Sequence, residues 1–191
     1  AGSSGTMTSC SGGSWGWRAA TCSPLPFFSD CLTIVDDPLI VRGLASTLFD
    51  GEGIACHPMT IVERGVVKNI YVDTYYGRKT GMAVTRGGAS NRLVLPGERS
   101  LDEILGAVGS GVYVTSWLGG NADPTTGDFS FGMRGRLIED GRLGQPVGEM
   151  NVTGNLRKLF NSLVELGNDP YPYSSLNVPT LVFEDVQFSG K

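Results

Sequence analysis

Glycine is the residue type that most constrains the fold of this chain, because 28 of its 191 residues are glycine. That share is about twice the roughly 7% of average usage. Glycine weakens helices, but it reaches positive φ at turns and bulges without steric cost. Since no Gly-X-Y period is present, the glycines predict many short strands joined by tight turns rather than a collagen helix.

Two segments of the chain have the pattern of a β-hairpin. In residues 55–72, the strand-like run Met59–Val62 is followed by a polar break that contains Gly65 and then by a second β-branched run. In residues 134–147, Asp140-Gly141 separates two further runs. Asp-Gly is among the strongest hairpin dipeptides, because both central positions of the tight turn need positive φ. The pattern therefore predicts two antiparallel hairpins.

Two main helices are also predicted. Ser100 and Glu103 have the spacing of a capping box, in which each side chain bonds the backbone N–H of the other residue. The apolar residues that follow fall on one helical face. A second helix is predicted over residues 155–166, where six apolar side chains form a broad stripe before Gly167. A shorter helix is predicted at Asp73–Thr80.

The order of these elements indicates the fold class. Further strands are predicted at Leu32–Val35 and Thr180–Phe183, and the helices do not alternate regularly with strands as in a doubly wound sheet. We therefore expect an α+β fold in which β-structure dominates, built from antiparallel strands and hairpins with two main helices. We expect it to occupy residues 28–191 as one domain. Residues 1–27 are rich in Gly and Ser and are predicted to form a flexible tail.

Charge and hydrophobicity argue against two classes of partner. The net charge is −4 and the Lys and Arg residues are scattered, whereas duplex binding needs a positive footprint. No stretch approaches the ~18 apolar residues of a membrane span, and no signal peptide is visible. We expect no direct nucleic-acid partner, no membrane partner, a cytoplasmic location and reduced cysteines.

A catalytic or metal centre formed by this chain alone is not expected. His57 is the only histidine. The adjacent Cys56 would point to the opposite face of a strand, so the two side chains cannot easily share one ion. No H-E-x-x-H motif, C-x-x-C pair or G-x-S-x-G elbow is present. We therefore predict no catalytic residue, no metal ligand and no cofactor in this chain.

Residues 118–132 form the most unusual segment, and two interpretations of it remain open. In the first, it is a long turn, capped by Asp128, followed by a strand that buries Phe129 and Phe131 on one face. In the second, an extended peptide pairs with the edge of a strand here, and backbone groups provide the affinity. The candidate peptide-binding residues are Gly119, Gly120, Asn121, Asp128 and Ser130.

From about residue 28 onward, long stretches of the chain follow the pattern of one known family. They are L-T-I-V-D-D-P (32–38), R-G-L-A-S-T-L-F-D-G-E-G (42–53), I-V-E-R-G-V-V-K (61–68), T-G-D-F-S-F-G (126–132), the run 136–155 and L-G-N-D (166–169). In these stretches the chain resembles the carboxy-terminal domain of the TldD/PmbA (TldD/TldE) metallopeptidase family. The sequence T-G-D-F-S is similar to the PmbA/TldE-like branch.

The resemblance implies a cytoplasmic, two-domain prokaryotic protein that is longer than this chain. In this family, TldD-like subunits carry zinc on an H-E-x-x-x-H helix, with a further cysteine ligand near the carboxy terminus. PmbA/TldE-like subunits lack the full ligand set and form a heterodimer with them. The pair hydrolyses peptides and is associated with proteolysis and microcin maturation, and an older name is modulator of DNA gyrase. Because a second domain would cover this one, we also expect exposed apolar surface.

The chain departs from the catalytic pattern of this family. The cysteine ligand would be expected within residues 168–177, where Tyr171, Tyr173 and Ser175 stand, and nothing upstream of residue 28 matches H-E-x-x-x-H. The resemblance therefore implies a non-catalytic PmbA/TldE-like subunit, with a TldD-like partner that holds the zinc and a peptide as substrate. Two alternatives remain open: a fragment of an active TldD-like zinc metallopeptidase, and a regulatory protein that modulates DNA gyrase.

Overall fold

A computed structural model describes residues 27–190 of the chain. The predicted tail therefore lies outside the described residues, apart from Phe27, and so do two of the four cysteines. The described strands are β1 (Ile34–Asp37), β2 (Met59–Glu63), β3 (Val66–Val67), β4 (Asn91–Val94), β5 (Gly111–Ala122), β6 (Asp128–Glu139), β7 (Arg142–Asn155), β8 (Leu163–Leu166), β9 (Leu176–Asn177), β10 (Leu181–Phe183) and β11 (Phe188–Ser189). The described helices are α1 (Thr74–Thr80), α2 (Leu101–Val108) and α3 (Leu156–Asn161).

The first sheet has the order β3-β2-β1-β4-β9, with β1 antiparallel to both neighbours and β9 parallel to β4. The predicted β2–β3 hairpin is confirmed, although β3 is shorter than expected. Its turn places Gly65 at φ 76°, and a Cβ there would lie 2.7 Å from the Ser29 carbonyl oxygen. Strand β1 begins at Ile34, two residues later than predicted.

The prediction of a helix over residues 155–166 is correct in its first half and wrong in its second half. Helix α3 ends at Asn161, and β8 follows it and pairs antiparallel with β10. Leu163 and Leu166 of β8 are buried in a core with Leu32, Val62 and Val94. Gly167 does not simply end a helix, because its N–H donates to the Thr180 carbonyl at 2.8 Å. Pairing with a distant strand therefore outweighs the local helical pattern.

The helix caps follow the local sequence. In α2, the Ser100 N–H donates to Glu103 Oε2 at 2.8 Å and the Glu103 N–H donates to Ser100 Oγ, so the predicted capping box is confirmed. In α1, Asp73 accepts a 2.7 Å bond from the Tyr76 N–H, and Gly81 ends the helix in the left-handed conformation. Helix α1 confirms the shorter helix predicted at Asp73–Thr80, so the described residues contain three helices.

Three long strands and a short fourth form the sheet that carries the candidate site. Its order is β11-β7-β6-β5. The predicted β6–β7 hairpin is confirmed, with Asp140 and Gly141 both at positive φ. One face of this sheet is centred on the buried side chains of Phe129, Met133 and Val152. With two separate cores and mainly antiparallel pairing, the fold class is α+β with β dominant, as predicted.

The segment between β1 and β2 exposes an apolar surface. Asn91 anchors this segment: its amide donates to Ser46 Oγ at 2.8 Å, and its carbonyl oxygen accepts from the Ala45 N–H at 2.9 Å. Large side chains nevertheless point outward, and Val41 is 88% exposed. The other exposed apolar side chains of this segment are Leu39, Leu44, Leu48 and Phe49. The exposed apolar surface that was expected is therefore present in this segment.

Candidate functional site

The turn between β5 and β6 is built by Asp123 rather than by Asp128. The Asp123 carboxylate accepts from the backbone N–H groups of Thr125 and Thr126, at 2.7 and 3.3 Å. These bonds lower the pKa of Asp123, the Thr125 N–H being the largest cause. Gly127 then adopts φ 80° and its N–H donates to the Asp123 carbonyl. Asp123 therefore caps the turn in place of Asp128, and the Asn155 amide also donates to the Thr126 carbonyl at 2.8 Å.

The five candidate residues lie at one end of the β5–β6 ladder. Asn121 is directly opposite Ser130, and Gly120 is opposite Phe131. Asp128 and Ser130 are exposed, and Asp128 Oδ1 accepts a 2.9 Å bond from the Asn155 amide. Their neighbours Phe129 and Phe131 point to the other face, where the two rings stack 5.7 Å apart. The predicted division into a polar face and an apolar face is therefore confirmed.

The two glycines have a structural explanation of their own. A Cβ on Gly120 would lie 2.7 Å from the Phe131 Cα, so the missing side chain makes room for strand β6. Gly119 has φ 108° and open space around it, at a bulge in the β5–β6 pairing. The glycines therefore shape the end of β5, and their contact with a ligand stays a prediction.

Only one strand that carries candidate residues has a free side. Asp128 and Ser130 lie on β6, which is paired with β7 on one side and β5 on the other. Within residues 27–190, no strand pairs with the outer side of β5, which carries Gly119, Gly120 and Asn121. An extended peptide can therefore add by backbone pairing at β5 but not at β6.

The opposite edge of the same sheet is less suited to pairing. Strand β11 covers β7 only at Asn151 and Val152, which leaves Arg142–Met150 without a neighbour among the described strands. Pro146 lies within this stretch and has no N–H to donate, and Glu149 has φ 56°. Proline and bulges blunt exposed edges. Pairing of β5 is also irregular between Val114 and Ser116 and between Trp117 and Gly120, but β5 contains no proline, so every residue of it keeps an N–H to donate.

A cavity of about 520 Å³ runs along β5. Seven consecutive residues of β5, 111–117, line it, and the apolar face of α2 lies across from them. Strand β10 and its flanking residues 178–183 contribute a further wall, while β6 and β7 contribute only Phe129, Ile138 and Val152. The cavity therefore follows β5 on the apolar face of the sheet, because Phe129 and Val152 of the buried cluster also line it.

A buried polar cluster in the first sheet was not found from the sequence. Asp36 is fully buried at the end of β1, and Arg86 is 3% exposed. The Arg86 guanidinium pairs with the Asp36 carboxylate, which also accepts from Tyr71 Oη, Ser90 Oγ and the Ser90 N–H. Arg86 also donates to Ser90 Oγ at 3.3 Å. This cluster ties β1 to residues 71–90, which follow the first hairpin.

The pKa values of this cluster follow from its contacts. Burial alone would raise the pKa of Asp36, but the hydrogen bonds from Ser90, Tyr71 and Arg86 together hold it below its ordinary value. Burial and the Asp36 charge raise the pKa of Tyr71 to about 12. Asp36 is therefore ionised and Tyr71 protonated at neutral pH. The cluster is a buried ion pair that holds the fold rather than a group poised for proton transfer, although Arg86 Nε has no hydrogen-bond partner among the described residues.

The described residues do not bring metal ligands together. Cys56 is buried and His57 is exposed, although neither residue lies in a strand as expected from the sequence. Within residues 27–190, no three His, Cys, Asp or Glu side chains converge closely enough to hold an ion. These residues therefore do not fit the zinc that the family resemblance implies. None of the three described helices is long and apolar enough to cross a membrane.

Comparison with known proteins gives one consistent result. The family model of the PmbA/TldA metallopeptidase C-terminal domain matches residues 26–190. Metalloprotease PmbA of Escherichia coli O157:H7 is 31% identical over 164 residues, which are 85% of this chain and 36% of that protein. A PmbA homolog of Buchnera aphidicola subsp. Baizongia pistaciae is 34% identical over 85% of this chain and 37% of its own length.

A solved structure agrees with these relatives. A crystal structure from Bacteroides thetaiotaomicron, whose name proposes a modulator of DNA gyrase, superposes with a TM-score of 0.83. It is 46% identical and covers 87% of this chain and 38% of its own. The chain spans little more than a third of the length of each of these proteins. Relatives named PmbA match at 30–34% identity, and relatives named TldD homologs match at 25–27%. The chain therefore belongs to the PmbA/TldA metallopeptidase family and corresponds to its C-terminal domain.

Proposed function

We propose that this chain is the peptide-holding part of a non-catalytic PmbA/TldE-like subunit in a cytoplasmic zinc metallopeptidase complex. A TldD-like partner supplies the zinc, and the pair hydrolyses peptides in proteolysis and microcin maturation. The observation that carries this proposal is the open outer side of β5, a twelve-residue strand that is free of proline. Backbone pairing at such an edge accepts many peptide sequences, which suits a peptidase subunit.

Two further observations support the PmbA/TldE-like branch over the TldD-like one. Identity to relatives named PmbA is higher than identity to relatives named TldD. Residues 168–177, where the resemblance places a cysteine ligand, contain no cysteine, and Tyr171 and Tyr173 are exposed there. We also propose that this chain itself holds no zinc, and about one zinc per chain by elemental analysis of the chelator-free protein, lost on His57→Ala, would contradict this.

Backbone pairing can be tested with three versions of one labelled ten-residue peptide. One version is unmodified, one is N-methylated at alternate residues, and one is N-methylated throughout. A strand added to an edge directs only every second residue's backbone toward that edge. We therefore expect the alternately methylated peptide to bind within a few-fold of the unmodified one in fluorescence anisotropy. The fully methylated peptide should bind at least about tenfold more weakly. Equal binding of all three peptides would show that the peptide does not bind by backbone pairing.

The exposed polar face is tested separately by the double variant Asp128→Ala with Ser130→Ala. Both side chains are exposed, so the melting temperature should change by only a few degrees. If they contact the peptide, turnover by the chain mixed with a TldD-like subunit should fall. Unchanged turnover, or loss of activity that merely follows loss of fold, would remove these two residues from the site.

The name of the Bacteroides structure suggests a second candidate function, the modulation of DNA gyrase. A regulatory protein acting on DNA gyrase should change the rate of supercoiling when it is added to purified gyrase. The scattered basic residues mean that such an effect would depend on protein contact rather than on DNA binding. No change in supercoiling at micromolar chain would remove this alternative.

A further inference from the structure

The cavity along β5 lies where alternate side chains of an added strand would point. Val112 and Val114 of β5 pack against the apolar cluster around Met133, so their face of the sheet is the apolar one. In a β-sheet, side chains of neighbouring strands that lie opposite each other point to the same face. A peptide paired outside β5 would therefore direct every second side chain toward this face, where the cavity lies.

The opposite wall of the cavity is the apolar side of α2. Leu101, Ile104, Leu105 and Val108 all line it, and they recur at the spacing of one helical face. The helix leads directly into β5, and a Cβ on Gly111 would lie 3.5 Å from Val108 Cγ1. The space between edge strand and helix is thus fixed at one end by this short connection. Peptide grooves formed by a strand edge and flanking side-chain pockets combine backbone pairing with selection of alternate residues.

We propose that this cavity selects peptides with apolar side chains at alternate positions. The inference rests on the proposed pairing at β5 and adds a substrate class to it. The volume of about 520 Å³ lies within the roughly 300–1,000 Å³ of ordinary ligand pockets, and the lining is mainly aliphatic. Residues of the peptide that face the other way meet the polar side of the sheet, so their identity matters less.

Two labelled ten-residue peptides of identical composition test this selection. One alternates leucine and threonine, and the other carries the same residues in pairs, Leu-Leu-Thr-Thr. Both offer the same backbone, but only the first can direct all of its leucines to the cavity. We expect fluorescence anisotropy to show binding of the alternating peptide at least about tenfold tighter, a difference of about 1.4 kcal/mol. Equal affinities would overturn the selection and leave the pairing intact, whereas no binding of either peptide would overturn both.

Two variants at neighbouring positions test whether the cavity is responsible for the peptide preference. Val108→Trp fills the end of the cavity, while Ala107→Trp puts the same side chain on a residue that does not line it. Both positions are exposed, so neither change should prevent folding. We expect Val108→Trp to reduce the preference for the alternating peptide to within about twofold, and Ala107→Trp to leave it unchanged. If the two variants behave alike, the cavity is not the selecting pocket.

Discussion

The buried ion pair between Asp36 and Arg86 allows a quantitative prediction of stability. Replacing Arg86 with methionine keeps the apolar length of the side chain and removes the charge. The carboxylate of Asp36 is then buried without its ion partner, and breaking a buried pair in this way costs about 3–5 kcal/mol. Asp36 retains its bonds from Ser90 and Tyr71. We therefore expect Arg86→Met to lower the free energy of unfolding by about 3 kcal/mol, at the lower end of that range.

The assay is urea denaturation followed by circular dichroism at pH 7. With an m-value of about 2 kcal/mol per molar, the loss should move the midpoint down by about 1.5 M. The matched control is Lys68→Met, which removes a surface pair at 3.0 Å from Glu63, with side chains 44% and 56% exposed. Exposed pairs contribute about 0–1 kcal/mol, so the control should move the midpoint by less than about 0.5 M.

A second variant separates the uncompensated charge from lost packing. Adding Asp36→Asn to Arg86→Met removes both charges and keeps an oxygen that can accept from Ser90. We expect the double variant to be more stable than Arg86→Met alone, because no buried charge is left unpaired. If Arg86→Met lies within about 1 kcal/mol of the wild type, or if the double variant is no better than the single one, the reasoning about this pair is wrong.

Three further predictions concern local structure. Gly120→Ala should destabilise the chain by about 1–3 kcal/mol in the same urea assay, because it combines φ 154° with a close approach to β6. Gly148→Ala, whose Cβ would meet open space, should cost less than about 0.5 kcal/mol. Ser100→Ala should cost about 1 kcal/mol by loss of the capping box, again measured by urea midpoint. For Tyr71, the raised pKa of about 12 means that folding favours its protonated form. The raised pKa of Tyr71 therefore stabilises the folded chain fully below about pH 10, and this contribution is lost as the pH rises toward 12. Tyr71→Phe should remove this part of the alkaline loss of stability, measured as unfolding free energy against pH.

Features that depend on neighbouring residues were predictable from the sequence. The turns at Gly65 and at Asp140-Gly141 are set by the need for positive φ, and the capping box of α2 is set by residues three apart. The two faces of residues 128–131 follow from the alternation of a strand. Each of these features needs only a short window of sequence, which is why the pattern was sufficient.

Features that depend on distant contacts were not predictable in the same way. Leu163 and Leu166 continue the helical pattern of α3, yet pairing with β10 makes them part of a strand. Asp36 and Arg86 are fifty positions apart in the sequence, and no local pattern chooses this pair among the other charged residues. Gly120 could admit either a ligand or a neighbouring strand, and only the pairing of β5 with β6 shows that β6 takes the space.

The proposed function depends on pairing of a peptide with the outer side of β5. Amide hydrogen exchange measured residue by residue, with and without saturating peptide, tests it most directly, because pairing slows exchange of the amides that become bonded. We expect new protection at alternate residues within 111–117 of β5, with little change on β6. Saturated binding that protects the β7 edge at Arg142–Met150, or that leaves the amides of β5 unprotected, would contradict it.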